Sequence, residues 1–283
     1  MMRRFTLVAF HAHPDDESLL TGGTLARAAA EGHRVVLVVA TRGEAGNANG
    51  GRKLGTRREA ELHRAAEALG CARVAVLGYR DSGLHGDSPS TAGDPPRFVD
   101  VPVEQAAAGL IDILRAERAD VLTGYDAHGG YGHPDHRHLH QVARYAAAAA
   151  GTPVLLEATV DRRKLQAALS VMRMAGRLLP RLPLNAASDA YAAGSETTHA
   201  IDVGRYWKQK RAGLRAHESQ TQGGAGLRTV ALLARLPGPL FRLIAGREWF
   251  IEVGRRPAGH RDGDVFGRLR RSPNVPCTIT KAH

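Results

Sequence analysis

Two short segments hold the residues that could do chemistry. The first is His11-Ala-His13-Pro-Asp15-Asp16-Glu17, directly after the apolar run Phe5–Phe10. The second is His133-Pro-Asp135-His136-Arg-His138-Leu-His140, which follows another apolar run. Imidazole and carboxylate are the usual ligands of a borderline divalent metal such as zinc. In His13-Pro-Asp-Asp16 the i and i+3 side chains can converge on one ion if the Pro14 turn curls the backbone, and Asp15 then projects elsewhere. His136 supplies a third ligand from the second segment. Two histidines and one carboxylate leave a coordination position open for water, as in catalytic zinc sites. The same set matches the facial triad of non-haem iron, so Fe2+ stays open beside Zn2+.

The chemistry this allows is hydrolysis. Zinc lowers the pKa of bound water from about 15.7 to about 7, and Asp15, adjacent to the ligands but not one of them, is the expected general base. His133, one helical turn before His136, faces the same pocket. In its protonated form it would stabilise an oxyanion and hand a proton to a leaving amine, with Asp135 holding it charged. His11, His138 and His140 are expected to pack or hydrogen-bond rather than to bind metal.

The elements that must position these residues alternate regularly. Apolar β-branched runs at Phe5–Phe10, Arg34–Ala40, Val74–Leu77, Asp120–Tyr125 and Val154–Ala158 read as strands. Helical spacing covers Thr21–Glu31, Thr56–Leu69 (ended by Gly70), Val103–Arg118 and Asp135–Ala149. Continuously apolar strands between helices predict an α/β fold, a Rossmann-like, mostly parallel sheet with helices on both faces. Ligands in such sheets bind beyond the carboxyl ends of the strands, where both clusters fall. Residues 1–160 are read as this catalytic core and 161–253 as a less regular elaboration completing the domain and the substrate pocket. In the latter, Arg162–Leu179 and Tyr206–His217 are expected as helices, His199–Val203 and Trp249–Val253 as strands, Asn185–Ser195 as a loop and Gly223–Gly226 as a break. Residues 254–283 are expected to be a disordered basic tail, because Gly, Pro and Arg dominate there.

Three further segments sharpen the reading: Arg58-Glu-Ala-Glu61, Tyr79-Arg-Asp81-Ser-Gly83 and Gly129-Gly-Tyr131-Gly-His133. Together with the two metal motifs they resemble the LmbE/PIG-L family of metal-dependent N-acetylglucosaminyl deacetylases. With Arg97-Phe-Val-Asp100, they most resemble its actinobacterial mycothiol-pathway branch, although Leu84 stands where that branch has Met. Thr198-His-Ala-Ile-Asp202, Lys210-Arg211 and His217-Glu-Ser219-Gln220 extend the likeness. The resemblance implies zinc at His13, Asp16 and His136, Asp15 as base, His133 as acid and Tyr131 near the oxyanion. It also implies Arg58, Asp81 and Glu44 as contacts to the sugar. The reaction implied is hydrolysis of an N-acetyl amide on an N-acetylglucosamine-type conjugate. A mycothiol-conjugate amidase and an antibiotic-tailoring deacetylase share the same motif. A binuclear metallohydrolase is a separate alternative, since His11-x-His13-x-Asp15 partly mimics the HxHxDH signature, and a non-catalytic sugar-binding module is a third.

Composition sets the setting. The 283 residues carry a formal charge of +11 and are 43% hydrophobic but only 5% aromatic, so Ala, Val and Leu must fill the core. Arg far outnumbers Lys, which fits a GC-rich coding sequence better than nucleic-acid binding, and no nucleic-acid partner is expected. The excess from Arg255 to Lys281 leaves room for weak association with an anionic surface, and a homo-oligomer is compatible with the composition. Two cysteines, Cys71 and Cys277, form no framework, which points to a reducing cytoplasm. No apolar stretch reaches the roughly 18 residues of a spanning helix.

Overall fold

A computed structural model describes residues 3–46, 51–86, 88–89, 92–130, 132–160, 196–221, 229–257 and 259–272. Its framework is a seven-stranded sheet in the order β3-β2-β1-β4-β5-β7-β6. The first five strands are β1 (Thr6–His11), β2 (Arg34–Thr41), β3 (Arg73–Tyr79), β4 (Val121–Tyr125) and β5 (Val154–Thr159), all mutually parallel. Each expected strand is present within two residues at either end. The helices between them are α1 (Asp16–Leu20), α2 (Gly22–Ala30), α3 (Arg52–Leu69), α4 (Val103–Ala116) and α5 (Pro134–Ala150). α1 adds to the expected elements: it is a short helix that opens with Asp16 and Glu17 of the first motif. α3 begins four residues before the expected Thr56 and ends, as expected, at Gly70 in the left-handed conformation.

The unbroken apolar strands have the reason expected for them. Along β1, Leu7 and Ala9 enter the cluster that includes Leu25, Leu62 and Leu69 of α2 and α3. Val8 and Phe10 enter the opposite one, with Leu110 and Leu114 of α4 and Leu139 and Val142 of α5. Both faces of the strand are covered, so alternation with polar residues would leave buried polar groups unpaired. Burial of each such side chain contributes about 1.5–3 kcal/mol.

The later part of the chain extends the sheet with the opposite sense. β7 (Arg247–Glu252) pairs antiparallel with β5, and β6 (His199–Asp202) antiparallel with β7. Helices α6 (Trp207–Ala216), α7 (Glu218–Thr221), α8 (Thr229–Arg235) and α9 (Gly238–Ala245) accompany them. The expected helix Arg162–Leu179, the loop Asn185–Ser195 and the break Gly223–Gly226 lie outside the described residues.

The expectation of a disordered tail is corrected up to residue 272. Val265, Phe266 and Leu269 are buried in the same cluster as β1 and α2, and α10 (Gly267–Arg271) follows. Phe266 stacks on Phe5 with ring centroids 5.0 Å apart. Asp262 joins the edge strand, its N–H donating to Thr198 O and its carbonyl accepting from Ala200 N. Three apolar residues scattered among Arg and Gly make no periodic pattern, yet each finds a socket. Residues 273–283 lie outside the described part.

Candidate metal centre

The order of the parallel strands reverses between β1 and β4, and the two motifs leave the sheet side by side at that point. The chain departs β1 at His11, turns through Pro14 and enters α1; it departs β4 at Tyr125 and enters α5 with His133 as N-cap and Pro134 in the first turn.

Three donor atoms meet here. Asp16 Oδ2 lies 3.3 Å from His13 Nδ1 and 3.2 Å from His136 Nε2, and the two nitrogens are 3.4 Å apart. Ligand atoms about 2.0–2.1 Å from a tetrahedral ion stand about 3.3–3.4 Å from one another. The far side of each ring fixes its tautomer. His136 Nδ1–H donates to Gly129 O at 3.2 Å, and His13 Nε2–H donates to Asp135 Oδ2 at 3.0 Å. Both inner nitrogens therefore present lone pairs to the same point, the orientation that a metal requires. His13, Asp16 and His136 are all buried. The expected ligand trio is brought together, and the residues fit a divalent cation.

The charges around the trio support this fit. Burial works against a charged His13, but Asp81, Asp135 and Asp16 outweigh it and raise its pKa well above the usual value, so a metal ion at Nδ1 would take the place of that nitrogen's proton. Asp16 is likewise opposed by burial yet held well below the carboxylate range by His136 and His13. Acids gathered this closely around one imidazole favour positive charge there, whether a proton or a metal ion.

Asp15 takes a different direction from Asp16 because its backbone is left-handed, at φ 112°. Arg58 Nη2 donates to Asp15 Oδ1 at 3.2 Å and also to Pro14 O, while Nη1 donates to Gly43 O at 2.6 Å. Gly43 makes this possible: a Cβ there would sit 2.2 Å from Arg58 Nη1, and its φ of 68° is itself left-handed. Burial pushes Asp15 up to about 6, against the downward pull of Arg58.

Other expected roles are redistributed. Asp135 does not hold His133 in its charged form. Its Oδ2 takes His13 Nε2–H and the Ser82 N–H at 3.1 Å, while His133 Nδ1 accepts the backbone N–H of Asp135 at 3.2 Å. An imidazole accepting at Nδ1 is not imidazolium, and burial, followed by His13 and His136, lowers His133 to about 4. Arg58 is 3% exposed and holds backbone carbonyls and Asp15.

Asp81 and Glu44 do line a cavity of about 840 Å³ beside the centre, together with Arg42, Tyr79, Arg80 and Leu84. Asp81 Oδ1 faces His13 Nε2 at 3.5 Å, and its N–H donates to Glu44 Oε1 at 3.0 Å. Glu44 Oε2 is buried with no hydrogen-bond partner among the described residues. Tyr131 lies outside them.

His11, His138 and His140 pack as expected. His11 bridges Tyr125 OH and Thr21 Oγ1 at 3.0 Å each, burial lowering it to about 4. His138 sits edge-on to Phe98, and His140 donates to Tyr125 O. Sequence reasoning missed Ser82 and the Gly129 carbonyl, which act through backbone atoms and carry no side-chain signal. It also gave no task to Glu17 or His217, whose side chains meet at 2.7 Å.

The family model PIG-L, GlcNAc-PI de-N-acetylase, matches residues 8–147, the span from β1 to α5 that carries both motifs. The 1D-myo-inositol 2-acetamido-2-deoxy-alpha-D-glucopyranoside deacetylase of Thermobifida fusca is 39% identical, over 77% of this chain and 83% of its own. The protein of the same description from Actinosynnema mirum is 36% identical, over 93% of this chain and 96% of its own. Among solved structures, the N,N'-diacetylchitobiose deacetylase of Pyrococcus horikoshii superposes with a TM-score of 0.58 at 19% identity, over 88% of this chain and 83% of its own, a likeness of fold.

Proposed function

The chain belongs to the PIG-L family of de-N-acetylases, and from that premise we propose that it is a zinc-dependent hydrolase of the N-acetyl amide in an N-acetylglucosaminyl-inositol conjugate, releasing acetate and a free amine. The observation that carries this reading is the triangle of inward-facing lone pairs on His13, Asp16 and His136 with Asp15 beside it. The inositol conjugate is taken from the substrate for which the relatives are named.

His13, Asp16 and His136 would hold the ion. When bound, it supplies a water of lowered pKa and an electrophile for the amide oxygen. Asp15, ionised at neutral pH, accepts the proton that the attacking water loses, and the same carboxyl group then returns it to the departing amine. His133 takes part as a neutral imidazole whose Nε2–H donates a hydrogen bond to the developing oxyanion, the arrangement suited to a ring with a lowered pKa. Asp135 keeps the His13 ring in its tautomer. Asp81 and Glu44 line the adjacent cavity, whose polar walls suit the hydroxyls of a sugar and its cyclitol partner. Tyr131 is assigned beside the oxyanion by the family resemblance alone. The partner this site needs is a small amino-sugar conjugate, and the cysteine usage supports a cytoplasmic setting for the reaction. No described helix is long and apolar enough to cross a membrane.

The test is acetate release from N-acetylglucosaminyl-inositol by zinc-reconstituted protein, paired with elemental analysis. The expected result is acetate and amine in equal amounts with one ion per chain. Two tightly bound ions per chain would favour the binuclear alternative. No acetate from any N-acetylated amino sugar would overturn the proposal.

A further inference from the structure

Asp15 has a backbone that L residues rarely adopt, φ 112° and ψ −30°, immediately before α1. Such a conformation persists only where neighbouring groups over-determine it. Arg58 holds the carboxylate from one side. The amide is held from the other: Asp15 N–H donates to Glu17 Oε2 at 2.9 Å. Glu17 Oε1 in turn accepts Ser18 Oγ–H at 2.6 Å and His217 Nε2–H at 2.7 Å. Glu17 and His217 are both fully buried, and they lie 200 residues apart in sequence.

His217 occupies the corner between α6 and α7, and two contacts set its position. Glu61 of α3 accepts Ser219 N–H at 2.9 Å and Ser219 Oγ–H at 2.6 Å, which fastens the start of α7. Gly213 lets α6 press onto α1, since a Cβ there would lie 2.7 Å from Ser18 Oγ. The imidazole reaches the first motif through Glu17, and its Nδ1 has no hydrogen-bond partner among the described residues. A buried ion pair is costly to desolvate and is no efficient way to join two helices. This one ends on a single group outside itself and Ser18: the amide of Asp15.

We propose that Glu17 and His217 form a positioning relay for the general base, by which the later part of the chain holds the Asp15 backbone and so aims its carboxylate. The inference rests on the assignment of Asp15 as base in the function proposed above. His217 touches no reacting atom. It acts by fixing Glu17, whose second oxygen fixes Asp15.

His217→Gln and His217→Asn separate this role from packing, because both are neutral amides that differ by one methylene. Gln places a donor N–H where Nε2 stands; Asn leaves it short of Glu17. Full-length zinc-reconstituted wild type and both variants are assayed for acetate release, zinc stoichiometry, Tm and hydrogen exchange at the Asp15 amide. In His217→Asn, kcat is expected to fall about tenfold to 10²-fold, the cost of a reacting group displaced by a fraction of an ångström to one ångström. KM and zinc should stay near wild type, and the Asp15 amide should exchange faster. His217→Gln should restore kcat to within a few-fold and the amide protection with it. Wild-type kcat and protection in His217→Asn would overturn the relay. So would equal loss in both variants, or a loss of rate that tracks loss of zinc. Absence of acetate release by the wild type would count against the function instead, and amide exchange would still decide the relay.

Discussion

Adjacent aspartates with different surroundings show how much one backbone angle decides. Asp16 lies within 3.3 Å of both the His13 and His136 imidazoles, whereas Asp15, turned away at φ 112°, meets Arg58. Asp15→Asn keeps the volume and the acceptor for Arg58 but cannot take a proton. It should retain zinc and lose about 10²–10⁴-fold in kcat. Asp16→Asn should lose zinc affinity as well as rate, because a neutral amide oxygen is a poor substitute for a ligating carboxylate. Chelator competition and single-turnover acetate release distinguish the two. Metal loss in Asp15→Asn with metal and rate intact in Asp16→Asn would reverse the assignment. At the same scale Arg58, implied by resemblance as a sugar contact, bonds the Pro14 carbonyl and Asp15 and so braces that loop.

Among elements, the parallel sheet separates chemistry from stability. The proposed ligands sit beyond the carboxyl ends of β1 and β4, while the opposite edge is tied by Glu117, just after α4. Its carboxylate accepts Arg34 Nη2 at 3.1 Å, as well as Arg34 Nε, and Arg73 Nη1 at 2.9 Å, and so joins the starts of β2 and β3. The hydrogen bonds from Arg34 hold Glu117 down at about 2, against an ordinary value of 4.5. A depressed carboxyl binds its proton more tightly in the unfolded chain than in the folded one. Its contribution to stability is therefore fully present above pH 4.5 and is lost as pH falls towards 2. The Tm advantage of wild type over Glu117→Gln, followed by calorimetry, should shrink across that window, damped by the partial solvent exposure of the pair. An advantage that stays constant or grows on acidification would show that the tie does not titrate this way.

For the whole molecule, residues 259–272 belong to the fold. Arg268 Nη1 donates to Glu252 Oε1 at 2.8 Å, and Phe266 fills the space between Phe5 and His33. Phe266→Ala should cost about 3–5 kcal/mol, the range for a buried aromatic cut to a methyl group. Truncation after Arg255 removes Val265, Phe266 and Leu269 together and should lower Tm further or prevent folding. A truncated chain that melts with the full-length protein would refute this docking.

The parts legible in the sequence were those written at short range. Strands appeared as apolar runs, helices as 3.6-residue spacing, and the proposed ligands as His13-Pro-Asp-Asp16 and Pro134-Asp-His136 next to strand ends. Backbone geometry links such neighbours directly, so a fixed offset in sequence is a nearly fixed offset in space. Tertiary structure alone decided which partners were taken across long separations. Asp135 turns to His13, 122 residues away, rather than to His133 beside it; Glu17 meets His217; the sheet gains β7 and β6 through two antiparallel pairings; and Phe266 returns to Phe5. Those choices depend on strand order and on the packing of α6 against α1 and α3. Both are set by burial summed over the whole chain, and no local spacing encodes them.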